Sequence, residues 1–243
     1  MSATPASGGE NRSKRVSVAS PDAAARCWRR IKRIIALLEA HYGTRQFTSR
    51  GRAVDVLVET ILSQNTSDTN SHRAFQALLS RLGTLEAVAA APVDEIEAII
   101  RFAGLSRIKS ARIRSLLLRL LRENGSLDLS FLSGQELDKA RRYLTSLDGV
   151  GLKTASCVLL FAFGMPAMPV DTHVYRVARR LDLIGDRVSV EAAHLELEAL
   201  VAPCDRYRFH LLLIEHGRRI CHPRNPRCAL CMLRDICPSA RLA

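Results

Sequence analysis

Apolar residues recur at helical spacing along almost the whole chain, and this pattern limits the possible folds most strongly. One stripe of residues three or four positions apart runs from Trp28 to Tyr42, and Gly43 follows as a residue that ends helices. Similar stripes follow, and the segment 53–63 is apolar on nearly all sides, as in a central helix. No sustained alternation with a period of two is present. The sequence therefore predicts an all-α fold of roughly ten helices.

The charge balance points to a polyanionic partner. The chain has 36 Lys and Arg against 24 Asp and Glu, a net charge of +12, which suits nucleic acid or a membrane surface. No apolar run approaches the roughly 20 residues of a membrane span. The segment Met1–Asp22 lacks the apolar core of a signal peptide and reads as a disordered tail. We therefore expect no membrane contact and a cytoplasmic protein, associated with the nucleoid if bacterial.

A glycine-marked turn lies between two helical patterns in the run Leu147–Ala155. Gly149 and Gly151 permit a close backbone approach, so the next helix could turn its first N–H groups toward a phosphate. The alternative is a tight turn that only packs. Lys153 begins the following helix, and Asp171 comes just after it, where its side chain can cap another helix.

These residues together resemble a known family. The run Leu147–Ala155, followed by the Val-Asp-Thr-His of Val170–His173, resembles the helix-hairpin-helix, Gly/Pro-Asp superfamily of DNA glycosylases, and in particular endonuclease III. The resemblance covers nearly everything after the tail. It implies a monomeric bifunctional DNA glycosylase and AP lyase that removes oxidised pyrimidines from damaged double-stranded DNA, with Lys153 and Asp171 as catalytic residues.

The chemistry of these two side chains suits that activity. A neutral Lys153 amine would attack the sugar C1′, expel the base and leave a Schiff base, from which β-elimination removes the 3′ phosphate. An ionised Asp171 would stabilise positive charge on the sugar and help to deprotonate the lysine. Two alternatives remain: a damage-binding or redox-sensing protein without turnover, and an adenine-mismatch glycosylase, against which Lys153 argues.

Four cysteines lie close together near the C-terminus, with the spacing Cys-x6-Cys-x2-Cys-x5-Cys. Four soft thiolates suit either tetrahedral zinc or a [4Fe–4S] cluster, and spacing alone does not separate the two. The resemblance to endonuclease III favours the [4Fe–4S] cluster. The four expected ligands are Cys221, Cys228, Cys231 and Cys237. The other three cysteines, Cys27, Cys157 and Cys204, are interpreted as packing residues.

The resemblance also implies loops that hold DNA open around an everted base. Leu105 matches an apolar wedge, and His173 follows the catalytic Asp. In the first loop, Gln64 stands where endonuclease III has Ala, and Asn65 stands where it has Gln. Either residue could therefore fill the gap that the everted base leaves.

A basic segment and a two-part division complete the expectations. Residues 101–122 contain seven Lys or Arg and no acidic residue, and we expect Arg107 and Lys109 to face DNA. The family resemblance implies a six-helix domain over residues 46–165 that contains the hairpin. Residues 23–45 and 166–243 would form the iron–sulfur domain, with DNA crossing the cleft between the two.

Overall fold

The computed structural model describes residues 21–241, and all of their regular structure is helical, as predicted. Residues 1–20 of the expected tail lie outside the described residues. Within residues 21–241, eleven α-helices are joined by short loops and 3₁₀ turns. They are α1 (Pro21–Tyr42), α2 (Ala53–Leu62), α3 (Asp68–Leu82), α4 (Leu85–Ala90), α5 (Val93–Ile100), α6 (Ser106–Asn124), α7 (Leu137–Thr145), α8 (Leu152–Phe163), α9 (Thr172–Arg180), α10 (Val190–Leu200) and α11 (Arg206–Arg219). None of these helices is long and apolar enough to span a membrane.

The first hydrophobic core lies between α2 and α8 and includes α3 to α7. Helix α2 runs through its centre and buries Leu57, Val58, Ile61 and Leu62 completely. The expectation of a central helix over residues 53–63 is therefore confirmed. Because α2 and α8 pack along each other, residues of both helices can line one cavity.

A second core combines α1 with α9, α10 and α11, so it joins the first helix of the chain to the last ones. The buried stripe of α1 runs from Ile31 to Tyr42 at the predicted spacing. Trp28 was expected in this stripe, but its side chain is 51% exposed. The buried stripe of α1 thus begins after Trp28, at Ile31.

The connection between α8 and α9 is held by side chains of the second core. The Nδ1 atom of His194 lies 2.9 Å from the carbonyl oxygen of Met168, and Nδ1 of His210 lies 2.9 Å from that of Pro169. The carboxylate of Glu198 accepts from the backbone N–H of Met168 at 2.9 Å. These bonds fix the direction in which the chain enters α9, and hence the orientation of α9 relative to α8.

Candidate active site

The turn before α8 combines one glycine in a left-handed conformation with one glycine that faces open space. Gly149 has a φ of +77°, which side chains rarely adopt, and a Cβ there would lie 2.3 Å from Cδ of Arg112. Gly151 is exposed and precedes α8 with an extended backbone. A Cβ on Gly151 would meet no atom of the described residues within 4 Å. The Gly151 side of the turn is therefore accessible to a phosphate, and Lys153 follows it in the first turn of α8.

Asp171 caps α9, as the sequence predicted. Its Oδ1 accepts from the backbone N–H of His173 at 2.9 Å and of Val174 at 2.7 Å. The N-terminus of α9 adds a favourable partial positive charge next to the carboxylate. Both bonds use the same oxygen, and Oδ2 accepts no hydrogen bond from the described residues. Asp171 is thus held by one oxygen while the other can interact with a ligand.

Lys153 and Asp171 come from different helices and line the same space. Two adjoining cavities, of about 370 and 970 Å³, each include both side chains in their walls. The smaller one lies within the size range of about 300–1,000 Å³ that is typical of ligand pockets. We call it the inner pocket and the larger one the outer groove.

The wall of the inner pocket behind Lys153 contains residues that sequence reasoning did not assign to the site. His210 is buried there, and burial lowers its pKa to about 4, so the ring is neutral. Its neutral ring donates from Nδ1 to Pro169. Cys157 lies beside Lys153 one helical turn later, and burial raises the pKa of its thiol. Sequence reasoning gave Cys157 a packing role, which its burial supports, but not its position beside the lysine.

The opposite wall of the inner pocket is polar. The Nδ1 atom of His72 lies 3.0 Å from Oε1 of Glu59, and the guanidinium of Arg218 lies 2.7 Å from Oδ2 of Asp68. The second pair connects α3 to α11 and lines the outer groove as well. The sequence offered one indication of this polar wall, which is that Glu59 is a glutamate within the otherwise largely apolar helix α2.

The two loops that are expected to hold the DNA open differ in how their residues are held. Oε1 of Gln64 accepts a hydrogen bond from Nη1 of Arg112 at 2.9 Å, whereas Asn65 is exposed with a φ of +54°. Leu105 also has a positive φ, +49°, and its side chain is 49% exposed. A Cβ on Gly104 would lie 3.8 Å from the carbonyl oxygen of Asn65, so the two loops are neighbours.

Of the other expected DNA contacts, one lies in the site and two lie outside both cavities. His173 lines the outer groove with Gln64 and Asn65, and burial lowers its pKa. Arg107 is exposed near the start of α6. The expectation for Lys109 is wrong, because its side chain is 1% exposed. Its ammonium donates to the carbonyl oxygens of Leu62 and Ala103 at 2.7 and 2.8 Å and has no surface left for a phosphate.

The four cysteines of the C-terminal segment all line one cavity of about 40 Å³, next to α9 and the end of α11. Nη1 of Arg180 donates to Sγ of Cys221 at 3.2 Å, and the backbone N–H of Leu233 lies 3.4 Å from Sγ of Cys231. Within residues 21–241, no three His, Cys, Asp or Glu side chains are grouped so as to hold a single metal ion. The thiols thus surround a space together with cationic and N–H donors.

The remaining cysteines take different positions. Cys27 is half-buried, whereas Cys204 is exposed in the turn before α11. The packing role expected for Cys204 is therefore wrong. The Pro203–Asp205 turn points it outward, while Asp205 takes the buried position of that turn.

Known proteins with similar sequences and structures agree on one family. Residues 58–203 match the model of the HhH-GPD superfamily of base excision DNA repair proteins. Endonuclease III of Sulfolobus acidocaldarius is 35% identical over 185 residues, covering 74% of this chain and 79% of its own length. A candidate DNA glycosylase of Arabidopsis thaliana is 32% identical over 196 residues, covering 81% of this chain and 64% of its own length.

A solved structure agrees with these sequence matches. The structure of a non-covalent endonuclease III–DNA complex matches with a TM-score of 0.76 and 27% identity, over 88% of this chain and 97% of that one. The superfamily match covers the turn before α8, the Lys153 helix and the Asp171 cap. The chain therefore belongs to the endonuclease III family of base excision repair DNA glycosylases.

Proposed function

We propose that this glycosylase is bifunctional, and that it removes oxidised pyrimidines from double-stranded DNA and then cleaves the strand as an AP lyase. The observation that carries the proposal is the shared cavity, in which an amine from α8 and a carboxylate from α9 face one ligand-sized space. The neutral Lys153 amine forms a bond to C1′ of the sugar while the bond from C1′ to the base breaks. The base leaves with the electron pair, and the sugar ring opens to a Schiff base.

Asp171 supports this step through the oxygen that the helix cap does not use. Because Oδ1 holds the two N–H groups of α9, Oδ2 can approach the sugar and stabilise positive charge as the base departs. The carboxylate can also take the proton that Lys153 must lose. Removal of a C2′ proton then breaks the C3′–O bond and releases the 3′ phosphate.

Borohydride trapping tests the role of Lys153. Duplexes that contain thymine glycol, dihydrouracil, an abasic site, uracil or adenine in a mismatch are incubated with and without borohydride. Wild-type protein should become covalently attached to the oxidised-pyrimidine and abasic duplexes, since borohydride reduces the Schiff base. Lys153→Gln should abolish trapping, and Lys139→Gln, which removes an exposed lysine on α7, should trap like wild type.

Three results would contradict the proposal. Undiminished trapping by Lys153→Gln would exclude that lysine as the nucleophile. Activity on mispaired adenine alone would make the protein an adenine-mismatch glycosylase. Binding to abasic DNA without base release or strand cleavage would instead indicate a damage-binding protein.

We further propose that Asn65, and not Gln64, enters the gap left by the everted base, with Leu105 as the wedge beside it. Gln64 is held by Arg112, whereas Asn65 and Leu105 are exposed on adjacent loops. Asn65→Ala should therefore reduce base excision more than Gln64→Ala does. The opposite order would assign the gap to Gln64. Gly149, Gly151, Arg107 and His173 would supply backbone and side-chain contacts to the strand around this point.

We propose that the cysteine cavity holds a [4Fe–4S] cluster. Four thiols surround one space, as a cluster with four iron atoms needs, and Cys221, Cys228, Cys231 and Cys237 would be its ligands. Such a cluster would tie the C-terminal loop to α9 and the end of α11, whose residues line the same cavity. Protein prepared without oxygen should contain about four iron and four sulfide per chain. Cys228→Ser should lower both, Cys204→Ser should not, and stoichiometric zinc in colourless protein would refute the assignment.

A further inference from the structure

The hydroxyl groups of the inner pocket are committed to the backbone. Oγ1 of Thr60 donates to the carbonyl oxygen of Val56 at 2.6 Å, and Oγ of Ser63 donates to that of Thr60 at 2.8 Å. Oγ of Ser71 donates to the carbonyl oxygen of Asp68 at 2.9 Å. Each hydroxyl has one proton, so these three side chains can offer a ligand only lone pairs.

Glu59 stands out on the same wall because half of its carboxylate is unused. Nδ1 of His72 donates to Oε1, whereas Oε2 accepts no hydrogen bond from any described residue. The Glu59 side chain is 34% exposed, although Val58, Ile61 and Leu62 around it on α2 are fully buried. Burying part of a carboxylate costs free energy that an apolar residue at this position would not. A ligand that donates a hydrogen bond would offset this cost.

The same pocket holds a donor on another wall. The guanidinium carbon of Arg50 lies 3.7 Å from the ring centroid of Phe161, and both residues line the pocket with Glu59. An arginine offers only donors, and an ionised glutamate offers only acceptors. A ligand that meets both must present a hydrogen-bond donor and an acceptor, and an N–H group next to a carbonyl oxygen provides the two together. Thymine- and uracil-derived bases have this arrangement at N3 and its two neighbouring carbonyl groups.

We infer that Glu59 determines base specificity by accepting the N3–H of an everted pyrimidine whose N3 lies between two carbonyl groups, while Arg50 donates to a carbonyl oxygen of that base. The inference rests on the proposed function, and it names the edge of the base that the inner pocket reads. His72 is a positioning residue, since its bond to Oε1 holds the carboxylate and leaves Oε2 without a hydrogen bond from the described residues. Lys153 and Asp171 act on the sugar and lie on other helices, so base reading and sugar chemistry use separate side chains.

An abasic site allows the two roles to be measured separately, because it has the sugar but no base. The variants are Glu59→Ala and Glu59→Gln, with Glu196→Gln as the control, since Glu196 is an exposed carboxylate on α10 outside both cavities. Single-turnover excision of dihydrouracil should fall roughly 10- to 100-fold in Glu59→Ala, as expected for a lost hydrogen bond to a charged group. Cleavage of a preformed abasic site should stay at the wild-type rate in both Glu59 variants.

A methyl group on N3 of dihydrouracil removes the donor from the ligand side. Wild-type enzyme should excise the methylated base roughly 10- to 100-fold more slowly than dihydrouracil. Glu59→Ala should excise the two bases at similar rates, and His72→Ala should discriminate less than wild type while it still cleaves abasic DNA. Equal discrimination by wild type and Glu59→Ala would overturn the inference. If Glu59→Ala loses both abasic-site cleavage and base excision, the inference is overturned as well, since that result indicates a structural role for Glu59.

Failure of the inference about Glu59 can be distinguished from failure of the proposed function. If wild-type protein releases bases but does not cleave abasic DNA, the lyase proposal fails, and Glu59 is then judged by release of free base alone. In that case Glu59→Ala should bind a duplex with a tetrahydrofuran abasic analogue as tightly as wild type does. A wild-type enzyme that excises bases but none with an N3–H between two carbonyl groups would refute the assignment of the base edge.

Discussion

Replacing Lys109 with Met should destabilise the protein without removing a DNA contact. The Lys109 ammonium donates to the carbonyl oxygen of Leu62, the last residue of α2, and to that of Ala103, just before the Leu105 loop. Burial lowers the pKa of this lysine. Lys109→Met keeps a side chain of similar length but leaves both carbonyl oxygens without their donor.

The size of the effect follows from these two bonds. A hydrogen bond to a charged group contributes about 1.5–3 kcal/mol, and two are lost. Part of this is recovered, because methionine avoids the desolvation that lowers the lysine pKa. We therefore expect a net loss of about 3 kcal/mol in the free energy of unfolding. For a chain of this size, that corresponds to a Tm decrease of roughly 6–12 °C.

Thermal and urea unfolding of Lys109→Met measure this loss, and Lys139→Met is the matched control on an exposed position of α7. The structure also predicts weaker base excision at a temperature where the variant is still folded, because the Asn65 and Leu105 loops lose their common anchor. Wild-type stability in Lys109→Met, combined with weaker and less salt-dependent DNA binding, would refute the reasoning. That result would indicate that Lys109 contacts a DNA phosphate after all.

Two further predictions concern the histidines behind the site and the glycine turn. Burial lowers the pKa of His210 to about 4 and also lowers that of His194, so their contribution to stability is complete above the unfolded pKa of 6.5. This contribution is lost as the pH falls from 6.5 toward 4, and for His210 the loss in the free energy of unfolding is up to about 3 kcal/mol. Urea unfolding at several pH values should show this pH dependence, and His210→Gln should reduce it. Gly149→Ala should lower stability by about 1–2 kcal/mol or more and weaken DNA binding, because the φ is left-handed and the methyl group displaces Arg112. Gly151→Ala should keep wild-type stability, and equal losses in both variants would contradict this account.

The fold was predictable because its signal is local. A helix that covers a core must place apolar residues three and four positions apart, and α1 does so from Ile31 onward. Trp28 continues the same spacing, yet its side chain is exposed. The spacing predicts which face of a helix is buried, but it does not show at which residue the burial begins. The Asp171 cap was predictable for the same local reason, since a cap involves only neighbouring N–H groups.

The error at Lys109 and the omission of Glu59 and His72 share one cause, because both depend on contacts between helices. Lys109 lies in a basic run, so exposure was the reasonable expectation, and only the ends of two other segments show why its ammonium is buried. Glu59 and His72 lie on successive helices that cross at the pocket. No short sequence pattern indicates that crossing, although the lone glutamate among buried residues of α2 was visible in the sequence.

The position of Asp171 relative to Lys153 depends on neither helix alone. Helix α8 belongs to the first core and α9 to the second, and the segment that joins them is bonded to His194, Glu198 and His210. A reaction that needs an amine and a carboxylate on one sugar tolerates little displacement between them. Substitutions at these three residues should therefore lower the rate of base removal at temperatures where both cores are still folded. In such variants Lys153 and Asp171 should move apart while the inner pocket stays folded. The walls of the pocket come from well-packed helices, whereas the relative position of the two side chains depends on one connecting segment.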